Sequence, residues 1–362
     1  MTTAQSSWTS SSPLKDSRFT GISFWYETSS SCSFLPGDAA DGNPVSAWLD
    51  TSSRSVRNNA MAGQRTDSAQ SAYNPIDGPT SGPKYLRNGI NGLPSLRFAN
   101  SPTHFEYLVV NPAFQSNTED SNKNLTLFVV LRVVSGSTGF IIDRVCLNNG
   151  NPLFGFSLDS SRNVLFNARD DSGRNVGGDY YFNTGRSLNL NESYVLTLQR
   201  TFGISFSARL NGQTLPTTAR DNSGSITLQP IKIGRHCNQA DWDPGMVIDV
   251  SEMALLFDSV APDDVLSIET YLGRKYSIFI ENVACSPGTF FVLSSDLLSI
   301  SACMSCSAGT YSSQQGIMPT ADCQCLLFTS FIGCSIWTRV PLLTPILVGS
   351  SLVSRLFLTS LL

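Results

Sequence analysis

Histidine is almost missing from this chain, which has two in 362 residues, His104 and His236. Two isolated imidazoles cannot build a histidine-rich metal centre, and no Ser/His/Asp or Cys/His set stands out to activate a nucleophile. Charge is scarce too: 14% of residues are Asp, Glu, Lys or Arg, and the net charge is −4. The basic residues are scattered without forming a stripe along the chain, so a nucleic-acid role has no electrostatic support. Long apolar runs are also lacking. The longest charge-free stretch of the C-terminal segment, Val340–Ser354, has 15 residues, short of the ~20 that a bilayer-crossing helix needs. Met1–Asp16 is polar and has no apolar signal-peptide core. Finally, helical periodicity is nearly absent before Pro262.

What is present instead is a series of short β-branched and aromatic runs between turn clusters. They are Gly21–Tyr26, Pro94–Phe98, Leu125–Val134, Gly139–Asp143, Phe154–Leu158, Val164–Ala168, Tyr194–Arg200, Ile204–Leu210, Ser225–Ile233 and Val247–Phe257. Ser205–Leu210 alternates apolar and polar residues with period two, as a half-buried strand does. Asn211-Gly212 directly after it is a two-residue hairpin signal, because a type I′ turn needs positive φ at both positions. Asn148-Asn149-Gly150 and Asp171-Ser172-Gly173 read as further turns. At least ten short strands separated by turns predict an all-β sandwich or jelly roll.

One helix is predicted, Pro262–Lys275. Proline suits its first position, Asp258 or Ser259 suits a cap on the turn before it, and Arg274 and Lys275 favour the C-terminal end of the dipole. Val265, Ile268 and Leu272 form an apolar stripe for docking on the sandwich. Trp25 and Trp48 sit in strand-like segments and are read as core residues.

The nine cysteines are uneven. Cys32, Cys146 and Cys237 are spread through the first 280 residues, and the other six fall between Cys285 and Cys334. Cys146 and Cys237 pair with each other or with Cys32, or stay as buried thiols; the sequence does not choose. The cluster is a disulfide framework in an oxidising compartment, or a metal site in a reducing one. The sequons at Asn124 and Asn191 fit a secreted, glycosylated route. The expected organisation is a disordered polar N-terminus (1–18), a β-sandwich (19–280), a cysteine-rich module (281–325) and an apolar tail (326–362). The polar start fits an N-terminus lying further upstream or a chain that is not secreted. The tail is expected either to associate with a membrane or to reflect a displaced reading frame near residue 325.

Several segments in order resemble laminin-G-like jelly rolls of the concanavalin A-like lectin/glucanase superfamily. Ile22–Tyr26 looks like the opening strand, Val45–Ser52 like the following W-x-D-x-S segment, and Asn88–Phe98 like a turn-plus-strand. Ile231–Arg235, Val250–Phe257 and the helix Ile268–Tyr276 complete the likeness. It implies a concanavalin A-like jelly-roll sandwich with one C-terminal capping helix, used to bind carbohydrate or protein partners at the cell surface or outside the cell. Cys285-Ser-Pro-Gly-Thr-Phe, Cys303-x2-Cys306, Ala308–Ser312 and Cys323 resemble the cysteine-rich repeat of ephrin-receptor ectodomains. That likeness implies disulfides among Cys285, Cys303, Cys306, Cys323 and Cys325, although Cys323-x-Cys325 departs from the family spacing. The competing reading is a zinc site built from the two cysteine pairs.

The superfamily includes glucan hydrolases, whose retaining members carry an E-x-D-x-x-E strand. Here Val247–Glu252 has Asp249 and Glu252 at the matching spacing, but valine stands where the nucleophile would be. A retaining mechanism cannot run without that carboxylate, so the chain is expected not to be an enzyme. Ligand binding is expected at loops on one edge. His236, Asn238 and Trp242 supply polar groups and an indole for a sugar face, with Arg169 in a second loop. Asp241 and Asp243 are carboxylates suited to Ca²⁺. The plainer reading of these carboxylates is that they cap turns, with Trp242 closing the core.

Overall fold

The computed structural model describes residues 12–15, 19, 21–52, 57–62, 82–100, 106–110, 124–144, 154–168, 182–216, 219–220, 231–235, 245–258 and 260–281, together with four strands further on. Two antiparallel sheets dominate. The nine-stranded sheet contains β1 (Ile22–Glu27), β4 (Lys84–Ile90), β5 (Leu93–Ala99), β7 (Leu125–Ser135), β12 (Ser193–Thr201), β13 (Ser205–Leu210), β14 (Gln213–Thr214), β15 (Ala219–Arg220) and β17 (Val247–Leu256). The eight-stranded sheet contains β2 (Ala47–Trp48), β3 (Ala60–Ala62), β6 (Leu108–Val110), β8 (Gly139–Arg144), β9 (Phe154–Leu158), β10 (Asn163–Ala168), β11 (Phe182–Ser187) and β16 (Ile231–Ile233). The first sheet runs β14-β13-β12-β7-β17-β5-β4, with β1 on β17 and β15 on β13; the second runs β11-β10-β9-β8-β16-β6-β3-β2.

The apolar residues fall into two clusters. The larger lies between the sheets and includes Trp48, Phe98, Leu127, Val129, Leu131, Phe156, Phe206, Ile233 and Leu255. The second lies on the outer face of the nine-stranded sheet, where Trp25, Phe128, Val130, Val195 and Leu256 meet Val265, Ile268 and Leu272 of α1 (Pro262–Lys275). This explains the unbroken apolar run Leu127–Leu131 within β7: both faces of the strand are covered there. β13, covered on one face, keeps the alternation that its sequence shows. Both Trp25 and Trp48 are buried, as expected.

Local chemistry sets the turns. Asn211 and Gly212 have φ of 49° and 83°, and Asn91 and Gly92 have 50° and 84°. Each pair closes a two-residue hairpin, Leu210 opposite Gln213 and Ile90 opposite Leu93. The helix has the expected bounds, but its N-cap is Ala261 and no side chain caps it. Proline at the first position leaves one fewer amide to satisfy, and Asp263 and Asp264 offset the positive end of the dipole. Within the stretch expected to be disordered, Pro13–Lys15 forms a single 3-10 turn. Leu14 is buried in the outer cluster there, because that cluster extends past the helix.

Beyond the sandwich, β18 (Thr289–Leu293) pairs with β19 (Ile300–Ser305), and β20 (Thr310–Tyr311) pairs with β21 (Gln324–Cys325), both antiparallel. Among the described residues, no helix is long and apolar enough to cross a membrane.

Candidate functional site

β17 carries the two carboxylates at the spacing of a hydrolase strand. Residues three apart on a regular strand face opposite ways. Here the pairing with β7 shifts between Val250 and Glu252, an irregularity centred on Ser251. Ile248 and Val250 therefore point into the core, as do Met253 and Leu255, while Asp249 and Glu252 both point outward. Neither is free. Asp249 is fully buried and accepts from Arg97 (2.7 and 3.0 Å) and Arg132 (2.6 and 3.2 Å). Glu252 accepts from the Trp25 indole at 2.7 Å, from Lys275 at 2.7 Å and from the Tyr276 hydroxyl at 3.0 Å.

Burial pushes the Glu252 carboxyl up, and nearby Glu27 adds to this while Lys275 opposes it. Burial works against the charge on Lys275, yet Glu252, Tyr276, Tyr271 and Glu27 together hold its pKa well above the usual lysine value. Lys275 bonds Glu27 as well, at 2.8 Å. The group ties the end of α1 to β1 and β17. A separate ion pair, Arg209 with Glu269 at 2.9 Å, holds the middle of the helix, and Thr197 donates to the same carboxylate at 2.7 Å. Val247, at the nucleophile position, pairs with Ala99 and Ser135.

The segment expected to bind ligand begins at Arg235, and only its roots are described. Gly234 leaves β16 with φ 90°; a Cβ there would lie 2.3 Å from the Phe98 ring. One buried side chain, Asn100, gathers the neighbouring chain ends. Its amide donates to the Gly234 carbonyl, its backbone N–H donates to Met246 O at 3.2 Å, and its Oδ1 accepts from Glu106 N at 3.0 Å. Residues 234 and 246 are thus tied to one point, as is the 100–106 connection. Arg235 is buried and lies 5.2 Å from the centre of the Tyr107 ring, with Lys232 5.3 Å from the same ring.

His236, Asn238, Asp241, Trp242, Asp243 and Arg169 lie outside the described residues, as do Cys146, Cys237, Cys285, Cys306 and Cys323. The strand ends that lead to the two expected loops are nevertheless separated. Ala168 ends β10 beside Phe154, at the end of the eight-stranded sheet where Arg144 faces Ile231. Gly234 bonds Ile141 at the other end. Arg169 therefore follows a strand end remote from the one that precedes His236. Cys303 and Cys325 fall in β19 and β21, and Cys32 is an exposed free thiol. Among the described residues no group of His, Cys, Asp and Glu is placed to hold a metal ion. Of the sequons, Asn191 is exposed in a turn with φ 61°. Asn124 is half-buried and accepts from Phe202 N at 2.8 Å.

Two structural side chains carried no sequence role. Asp50, in the W-x-D-x-S segment, accepts from the amides of Trp25, Ser52 and Asn58 at 3.0, 2.9 and 3.0 Å. Asn100 had no local signal, since its partners are up to 146 residues away in sequence.

No family model matches the sequence, and no curated protein matches it. Among solved structures, the binding domain of Paraclostridial Mosquitocidal Protein 1 is similar at 12% identity and a TM-score of 0.47, over 78% of this chain and 62% of that one. The botulinum neurotoxin serotype D binding domain gives 12% and 0.45, over 75% and 56%. Trypanosoma rangeli sialidase gives 14% and 0.43, over 70% and 33%. This chain spans less than two thirds of the length of each of those chains.

Proposed function

We propose that this chain is a non-catalytic recognition protein of the cell surface or extracellular space. Its laminin-G-like sandwich binds a glycan or a protein ligand through the 236–243 segment. The observation that carries the reading is the Asn100 anchor: the connection between residues 234 and 246 springs from two roots held by one buried residue, Gly234 by its side-chain amide and Met246 by its backbone N–H, with a rigid sheet behind them. Binding loops on rigid scaffolds are built this way. Trp242 would offer the sugar face, with His236 and Asn238 as polar contacts and Asp241 and Asp243 as Ca²⁺ ligands; Arg169 would belong to a separate loop. The ephrin-receptor-like cysteines would form a disulfide-bonded spacer, and the apolar tail would contact a membrane. Glycosylation would occur at Asn191 more readily than at Asn124, whose side chain is already engaged.

Support for binding without hydrolysis comes from β17. Both carboxylates at the hydrolase spacing are committed to ion pairs, and the position that would need the nucleophile is valine. A glycan array probed with the intact chain in Ca²⁺ and in chelator tests the proposal, alongside a reducing-end assay on β-glucans. Glycan signal in Ca²⁺ with no sugar release is expected. Absence of signal in both conditions rejects a glycan ligand, and sugar release rejects the non-catalytic reading.

A further inference from the structure

Five residues from five strands stand side by side across the outer face of the nine-stranded sheet. Ser193 of β12 faces Arg132 of β7, and Arg132 faces Asp249 of β17. Asp249 in turn faces Arg97 of β5, and Arg97 faces Lys84 of β4. With strands ~4.8 Å apart, the row runs roughly 19 Å. It lies just past the end of the helix cover, where Asn91 bonds the Tyr276 carbonyl at 2.8 Å and contacts Ser193 at 3.4 Å.

The two arginines spend the same edge, Nε and Nη2, on the one buried carboxylate. Their side chains remain 31% and 20% exposed, and neither Nη1 has a hydrogen-bond partner among the described residues. Lys84 is exposed. The other carboxylate close to Arg97 is Glu106, which is buried and accepts from Ala99 N at 2.8 Å. Among the described residues, three cations therefore face two carboxylates, neither of them exposed. Asp249 supplies one negative charge to two guanidinium charges, so the half-exposed arginines and the exposed Lys84 leave positive charge on this face. Guanidinium forks favour sulfate and carboxylate oxygens. No aromatic ring stands in the row, so the stacking that single-stranded nucleic acid uses is missing there.

We propose that this row is a second binding site, for the sulfate or carboxylate groups of an acidic saccharide laid across the strands. It is independent of the 236–243 segment. The test is calorimetric titration of the intact chain at low and high salt with three probes: a heparin octasaccharide, a hyaluronan octasaccharide and a neutral dextran of similar length. The wild-type chain should bind at least one acidic probe, more weakly in high salt, and should not bind dextran. Which acidic probe binds separates sulfate from carboxylate recognition. Lys84→Glu should weaken binding about tenfold with unchanged thermal unfolding, since it reverses an exposed charge-assisted contact. Arg97→Lys, which keeps the charge but loses the fork, should weaken it by a smaller factor. The proposal is overturned if neither acidic probe binds, if Lys84→Glu and Arg97→Lys both bind like wild type, or if an oligonucleotide of matched charge binds as tightly.

Discussion

Lys275 illustrates how much of this fold depends on single polar side chains. It is placed between Glu27 and Glu252, beneath the rings of Tyr271 and Tyr276. Replacing it with methionine leaves Glu252 buried without its cation, a change that typically costs about 3–5 kcal/mol. Lys275→Met should therefore lower the urea midpoint strongly, and adding Glu252→Gln should recover part of the loss. If the single variant is as stable as wild type, the network is not holding the helix. This lysine and four buried or half-buried tyrosines set the alkaline limit. Burial pushes Tyr271 and Tyr194 up to about 12 and holds Tyr26 and Tyr276 well above 10.0, while Lys275 is raised above 10.5. In each case the folded state keeps a proton that the unfolded chain releases. Their contribution is fully present below about pH 10 and is lost as pH rises toward 12. Urea midpoints measured from pH 8 to 12 should be flat at first and then fall; a rise across that window would contradict the assignment.

At the scale of elements, the turns and the irregularity at Ser251 decide which side chains share a face. Gly92 closes the β4–β5 hairpin at φ 84° with nothing within 4 Å of where a Cβ would sit, so Gly92→Ala should cost about 1–2 kcal/mol, the penalty of a left-handed backbone alone. Gly234→Ala adds a steric clash with Phe98 to the same backbone penalty, and overpacking contributes about 1–3 kcal/mol more. Thermal unfolding should rank the two variants in that order. Strand positions, the helix bounds and the Asn211-Gly212 turn were legible in the sequence because period, β-branching and turn residues are local properties. The common face of Asp249 and Glu252 was not. It depends on one extra residue whose effect appears only when β17 is registered against β7. The uncapped helix start was equally hidden, since Asp258 lies close enough in sequence to suggest a cap that the geometry does not use.

For the whole molecule, chain order and spatial order diverge, and the chemistry follows the spatial order. Arg97, Arg132 and Asp249 are scattered over more than 150 residues of sequence yet meet at one carboxylate. A scan for basic stripes along the chain could not find them. Asn100 carries no local signal for the same reason: it joins the ends of connections that are far apart in sequence. Composition, by contrast, pointed correctly to an all-β sandwich with a helix on one face, because two-sheet burial is written into alternation and apolar runs. Residue type alone points to the 236–243 segment, and the proposed binding there rests on the anchored roots that the fold supplies. Removing the anchor should therefore weaken binding without removing any contact residue. The most direct measurement is the glycan-array signal of the intact chain in Ca²⁺, compared among wild type, Trp242→Ala and Asn100→Ala, each confirmed folded by circular dichroism. Strong signal for wild type, loss for Trp242→Ala and reduction for Asn100→Ala is the predicted result. Equal signal from all three proteins would contradict the account.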